Sequence, residues 1–271
     1  MRLTLGFSTC PNDTFIFDAL VNGRLDTGGI EFDVVLADIL HLNQMALAGQ
    51  LDMVKVSFHT YGSVRDRYAL LDAGGAVGHR CGPLLISRTP TTLDALTAAQ
   101  ARVLVPGFNT TANLLLSRLV PALDRKEERI FHEIMPALVA GEADAGVIIH
   151  ENRFTYPGYG LHLVCDLGEL WETRTGLPIP LGAIVARKSL GPELIRTLES
   201  LLRSSVQYAF DHPEASRPFV RQHAQEMDEA VMQAHIQLYV NEYSLSLGEQ
   251  GRKAVEALLG PLQAAASQDT R

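Results

Sequence analysis

The cysteines of this chain are not spaced to pair. Cys10, Cys81 and Cys165 are an odd count, far apart and without C-x-x-C spacing, which argues against a disulfide framework or a zinc knuckle and fits reduced thiols in a cytoplasm. Positive charge is also short: 23 Lys and Arg stand against 31 Asp and Glu, for a formal charge of -8, and no basic cluster occurs. A nucleic-acid surface is therefore excluded as a partner. No window of about 18 consecutive apolar residues exists, which excludes a membrane-spanning helix and a membrane partner. The chain opens directly on the strand-like Leu3-Thr4-Leu5-Gly6-Phe7 without a basic segment, a long apolar stretch or a small-residue cleavage site, so a cytoplasmic location is expected.

What is present is an ordinary globular composition, 46% apolar and 20% charged, in 271 residues, enough for two modest lobes with their own cores. One short pattern occurs twice. Leu47-Ala48-Gly49-Gln50-Leu51-Asp52-Met53-Val54-Lys55-Val56-Ser57 is echoed by Val139-Ala140-Gly141-Glu142-Ala143-Asp144-Ala145-Gly146-Val147-Ile148-Ile149. Each copy reads as a helix ending at a Gly suited to a left-handed backbone, a turn carrying Asp, and a buried strand. The first copy delivers Lys55 and Ser57 to its strand end, the second His150 and Glu151. Open α/β sheets bind ligands at the carboxyl ends of their strands, so two similar lobes facing one cleft are expected.

Strand and helix signals alternate along the chain, which predicts an α/β fold of mixed, mostly parallel sheets flanked by helices. Asp13 or Thr14 is expected to cap a first helix running to about Val21. The runs Gly82 to Arg88 and Leu181 to Arg187, alike in form and each ending in Arg, read as two crossings between lobes. They divide the chain into a larger lobe of 1–87 plus 186–271 and an inserted smaller lobe of 88–185. Helices are predicted from Pro192 to about Phe210, with His212-Pro213 as the stop, then near Asp228 to Tyr239 and Gly248 to Leu259. Gln263 to Arg271 reads as a frayed polar tail.

His150 follows the apolar run Gly146 to Ile149, and a strand-end imidazole titrating near neutrality suits a general base, against the alternative of a core histidine satisfied by a backbone carbonyl. Glu151 either orients that ring or caps the next segment. Pro106 to Asn113 follows a strand and opens a helix, so Thr110, Thr111 and Ala112 combine N-capping with a site for a carboxylate. Lys55 and Ser57 share a strand face and are expected to meet ligand, since a buried ammonium needs a partner. Asn12 and Asp13 lie in the first strand-to-helix turn and shape the site. His59 continues the Lys55 face if the strand continues. Cys10 reads as a small buried filler. The aromatic residues of Arg153 to Gly160 read as the packing of a turn. The other seven histidines, His235 among them, read as surface or structural, and neither a metal site nor a cofactor is expected.

Taken together these segments resemble the 1,4-dihydroxy-6-naphthoate synthase family of the futalosine route to menaquinone. The resemblance rests on Ser8 to Phe15, Lys55-Val56-Ser57, Val64 to Tyr68, Thr110-Thr111-Ala112, Ile148 to Glu151, Arg153 to Pro157, and Thr175 to Pro178 leading to Pro180-Leu181-Gly182, in order over nearly the whole chain. Thr9 and Asn109 depart from similar sequences, which carry Pro and, in some, His. The resemblance implies a two-lobed fold like the periplasmic binding proteins, used as an enzyme. It implies cleavage of cyclic dehypoxanthinyl futalosine, a carboxylate, to 1,4-dihydroxy-6-naphthoate with loss of a three-carbon sugar remnant. It also implies that His150 is the base and that Lys55 to Ser57 and Thr111-Ala112 contact substrate. A solute receptor of the same fold and a chorismate dehydratase of the same pathway are the competing readings. The assemblies the sequence allows include a homodimer.

Overall fold

A computed structural model of the chain describes residues 1–224 and 228–261, so the expected tail from Gln263 lies outside the described residues. The strands form two sheets, six in one and five in the other. In the first, β1 (Arg2–Phe7) lies between β2 (Glu31–Leu36) and β3 (Met53–Ser57), all parallel, and β11 (Ile179–Arg187) runs antiparallel beside β3. The short strands β4 (Tyr68–Leu70) and β5 (Ala76–Gly78) pair with two stretches of the far edge of β11. In the second sheet, β7 (Val103–Val105) lies between β8 (Lys126–Glu128) and β9 (Ala145–Ile148), all parallel, and β6 (Leu84–Ser87) runs antiparallel beside β9 with β10 (His162–Asp166) beyond it. Three parallel strands and one antiparallel neighbour are the plan of both halves.

The repeated sequence occupies equivalent places in the two sheets, and its residues do equivalent work. Gly49 and Gly141 are left-handed, with φ of 68° and 77°. After each, the next amide folds back five residues, from Gln50 to Met45 and from Glu142 to Ala137, at 3.0 Å in both cases. That is the hydrogen-bond pattern of a Schellman helix end, which only a residue tolerant of positive φ supports well. Asp52 then accepts from the Thr4 amide at 2.9 Å and Asp144 from the Arg102 amide at 2.7 Å, tying each turn to the start of its lobe's central strand. An Arg at the end of β11 and one just past the end of β6 close the motif: Arg187 donates to the Gly49 carbonyl at 2.6 Å, and Arg88 lies against Gly141.

Sheet membership corrects the expected crossings. The two Arg-ending runs are equivalent antiparallel strands rather than connections, and the chain passes between sheets just before each, within 79–83 and 176–178. The stretch built into the second sheet thus begins before position 88 and ends before position 185. Apolar runs without polar alternation fit both a buried strand and a buried connection, which is why the sequence alone placed the boundaries late.

The first sheet buries Leu3, Leu5 and Phe7 against Phe15, Phe17 and Leu20 of the helix Pro11–Val21 and against Leu198, Leu202 and Val206 of the helix Pro192–Asp211. Phe7 and Phe17 stack with ring centroids 4.4 Å apart. The later helices return to this lobe, as expected, but His212-Pro213 is not a simple stop. Proline at the first helical position loses no hydrogen bond, so Pro213 opens a further helix, Pro213–His223. Where the chain crosses between sheets, a methyl placed on Gly82 would overlap the backbone of Gly168. A Gly82→Ala protein is therefore expected to lose roughly 1–3 kcal/mol of stability in chemical denaturation, the usual cost of overpacking. Unchanged stability would show that the junction yields freely.

Candidate active site

The carboxyl ends of β1, β3 and β9, the amino end of the helix Thr111–Leu119 and part of β11 converge on one cavity of about 630 Å³, counting the space open to solvent. Its wall draws on both sheets.

On the first lobe the dominant feature is a buried ion pair. Lys55 Nζ lies 2.7 Å from Asp13 Oδ1, with the two residues 5% and 1% exposed. Asp13 is also an acceptor for the Ser8 amide at 3.2 Å, the Ser8 hydroxyl at 2.7 Å and the Asn12 side-chain amide at 2.8 Å. A buried charge pair is tolerable only when its remaining lone pairs are occupied in this way. Gly182 on β11 leaves room for the lysine stem, since a Cβ there would come within 2.8 Å of Lys55 Cε. The first helix starts at Pro11 with Cys10 as its N-cap, not at Asp13 or Thr14. Pro11 fixes the backbone for a helical start, and the Asp13 carboxylate turns back to Ser8 and Lys55 instead of capping.

Ser57 is held by Asn43, whose Oδ1 accepts from the Ser57 amide at 2.9 Å and whose Nδ2 donates to Ser57 Oγ at 3.0 Å. The hydroxyl proton of Ser57 is thereby left for a guest. Strand β3 stops at Ser57 and the helix Phe58–Val64 begins, so His59 does not share the Lys55 face, and its ring lies 3.3 Å from the Thr110 carbonyl. Val56 points the other way, into the core.

On the second lobe the two threonine hydroxyls are already committed. Thr110 donates to the Gly107 carbonyl at 2.6 Å and accepts from the Asn113 amide at 3.3 Å, while Thr111 donates to the Leu181 carbonyl of β11 at 2.7 Å. What remains for an anion is the pair of first-turn amides of Thr111 and Ala112, which an α-helix leaves without internal acceptors.

His150 lines the same cavity, two residues beyond β9, with φ of 56°. A non-glycine residue in the left-handed region carries backbone strain, of order 1 kcal/mol, and such residues gather at functional sites. The edge of Phe131 packs on the ring at 5.0 Å. Burial pushes the imidazole down to about 4, with Asp13 raising it and Lys55 lowering it further. The ring is only partly covered by protein, facing the cavity, and it is neutral near pH 7. Glu151 is buried and does not line the cavity; its carboxylate lies 4.0 Å from Nδ1 of His235.

Asn12, Lys55, Ser57, Thr110, Thr111, Ala112 and His150 thus come to one wall, and Val56 and Glu151 do not. Sequence reasoning missed the apolar part of the lining, Ile39, Ala76, Cys81, Leu181 and Tyr239, because nothing local marks a cavity-facing apolar residue. Cys10 is buried as expected, and burial raises its thiol well above the ordinary range. The Cys81 thiol is pushed up to about 12, also by burial, so it stays protonated and acts as an apolar surface. Among the described residues, no group of three or more His, Cys, Asp and Glu side chains is arranged to hold a metal ion, and no helix is long and apolar enough to cross a membrane.

Two α/β lobes of the same plan, joined by two crossings and sharing a cleft, define the class of folds first known from periplasmic solute-binding proteins. The backbone superimposes on the alkanesulfonate-binding protein of Xanthomonas axonopodis pv. citri with a TM-score of 0.66 at 14% identity, covering 88% of this chain and 84% of that one. It also superimposes on a protein of Archaeoglobus fulgidus of known crystal structure, with a TM-score of 0.87 at 32% identity and 95% of both chains covered. The model of the menaquinone biosynthesis family matches residues 3–264, and the chain belongs to that family. Its relatives include 1,4-dihydroxy-6-naphthoate synthases of Thermus thermophilus, 50% identical over 97% of this chain and 94% of that protein, and of Streptomyces coelicolor, 50% identical over 95% and 91%.

Removing the carboxylate while keeping the ammonium exposes the cost of the buried charge. Asp13→Asn is expected to lose about 3–5 kcal/mol of stability in urea denaturation, and adding Lys55→Met to recover much of it. A loss under about 1 kcal/mol would mean that water already solvates the pair. The pH response has a defined sign. An imidazole held below its unfolded value favours folding as the neutral form, so the contribution of His150 is complete above about pH 6.5 and is lost as pH falls towards 4. Stability is expected to drop by about 2 kcal/mol from about pH 7.5 to about pH 5 on this account, and His150→Asn to flatten that slope. Parallel pH profiles for the two proteins would remove His150 as the cause.

Proposed function

We propose that this chain is a carbon-carbon lyase that converts cyclic dehypoxanthinyl futalosine to 1,4-dihydroxy-6-naphthoate, releasing a three-carbon sugar remnant, in menaquinone biosynthesis. The observation that carries the reading is the meeting of a neutral His150 with the free amides of Thr111 and Ala112 on one cavity wall. Its family membership and the names of its relatives support it.

His150 takes a proton from a substrate hydroxyl or an acidic carbon. The electron pair released breaks the bond to the sugar carbon, and aromatisation of the remaining ring system drives the step. The redistribution stays within the substrate, so it calls for no external oxidant. Because Asp13 already neutralises Lys55, the substrate carboxylate falls to the Thr111 and Ala112 amides and the Ser57 hydroxyl. An anion docked there raises the affinity of His150 for a proton, since an imidazolium gains a nearby opposite charge. The base is therefore weak in the empty site and strengthened by the substrate it acts on. Closure of the two lobes over the guest excludes water. The three unpaired cysteines fit a reaction carried out in the cytoplasm.

Left-handed backbone makes asparagine the cleanest replacement at position 150, because it tolerates that conformation where alanine is strained. His150→Asn is expected to abolish formation of the naphthoate, followed by its ultraviolet absorbance, while substrate binding by calorimetry and folding stability near pH 7.5 each stay within about 1 kcal/mol of the parent. Near-normal turnover would remove His150 from the mechanism. Substrate returned unchanged by the parent protein would instead favour a solute receptor, and turnover of chorismate a dehydratase.

A further inference from the structure

His235 lies on the helix Glu229–Tyr239, 0% exposed, immediately behind the cavity wall. Its Nε2 is 2.8 Å from Asn12 Oδ1, and Asn12 Nδ2 lies 2.8 Å from Asp13 Oδ1, the same oxygen that Lys55 holds at 2.7 Å. The direction of every bond in this series is fixed from one end. An ionised carboxylate only accepts, so Asn12 must turn its NH₂ to Asp13 and its oxygen to His235. The oxygen only accepts in turn, so the proton of the neutral imidazole sits on Nε2.

We infer that His235 is a positioning residue for the reaction: held as the Nε2–H tautomer, it orients Asn12 and through it the Asp13–Lys55 pair, and it keeps the space behind His150 uncharged. This rests on the role proposed above for His150. The two imidazoles are stacked, with centroids 6.1 Å apart and planes 25° apart, so a cation at position 235 would oppose the proton that His150 must accept. The charged and titratable groups around His235 are His150 and Glu151 beyond β9, Asp13 on the first helix, Lys55 on β3, and Tyr239, one turn along its own helix at 4.6 Å between ring centroids. Glu151 is the acid facing Nδ1, at 4.0 Å, beyond hydrogen-bond reach. Burial holds the imidazole well below its ordinary range, and His150 and Lys55 act in the same direction.

Three replacements separate the donor from the bulk. Gln at position 235 can extend an NH₂ to where Nε2 lies, whereas Asn reaches only the Nδ1 position and Leu has no donor. The expected result is a kcat lowered roughly 100-fold in His235→Leu and His235→Asn, with KM changed much less and with most of the rate restored in His235→Gln. In an Asn12→Ala background, His235→Leu should add little, because the residue acts through Asn12. The parent enzyme labelled with ¹⁵N at its histidine rings supplies a readout that needs no turnover. His235 should show an Nε2–H that does not titrate between about pH 5 and pH 8. A titrating or doubly protonated ring, an Nδ1–H tautomer, equal activity in all three variants, or losses that follow stability alone would each overturn the inference. Should the parent protein prove inactive on the proposed substrate, the reaction assignment fails, while the tautomer and its hold on Asn12 are still decided by the spectrum.

Discussion

An ammonium taken out of water must be compensated within hydrogen-bond distance, and Lys55 is placed inside the molecule with Asp13 as its counter-ion. The compensation organises the surroundings. Asp13 has to face back towards β1 and β3, so the first helix begins at Pro11 and the chain turns sharply after Phe7. Ser8 and Asn12 must fill the remaining lone pairs of Asp13, which makes them part of the same wall. Gly182 has to lack a side chain for the lysine stem to pass. His235 is drawn in through Asn12, and its ring supports His150 from behind. A single desolvated charge thus sets the geometry of a wall contributed by three strands and two helices.

The twin construction explains why the two halves can serve different purposes. Both use a left-handed glycine, an Asp tether to the central strand and an Arg over the helix end, and these features lie at the end of the sheet away from the cavity. Stability devices are therefore repeated, while the strand ends that face the cleft are free to differ. One half contributes Lys55 and Ser57, the other His150 and the helix start at Thr111. A shared fold does not fix a function, which is set by the residues the fold carries into its cleft.

Binding and catalysis on this architecture differ by small chemical changes. A helix start that captures a carboxylate suffices to hold a ligand. A base at a neighbouring strand end of the same lobe, the role proposed for His150, adds reactivity, provided it is neutral before the ligand arrives. His150 meets that condition because burial penalises its charged form, and the conformation that carries it into the cavity is one that most residues avoid.

The sequence by itself determined the architecture and most of the polar wall. Helix and strand periodicities are local, the Gly and Asp of the repeated unit act within their own turns, and Lys55, Ser57 and His150 are marked by lying at the ends of apolar strands. The resemblance to a known family added the reaction and the roles expected of these residues. Tertiary structure decided what local pattern does not encode. The boundaries between lobes depend on which sheet a uniformly apolar strand joins, so the runs ending at Arg88 and Arg187 were legible as apolar runs and read as crossings, not as strands with known neighbours. Hydroxyls at Thr110 and Thr111 were visible as cap residues, but only their distant acceptors show that the amides, not the hydroxyls, are left for a ligand. His235 stands far along the chain from Asn12, and nothing around it in the sequence distinguishes it from a surface histidine. Long-range packing alone brings it behind the site, because hydrogen bonds between remote side chains leave no periodic trace in the chain that makes them.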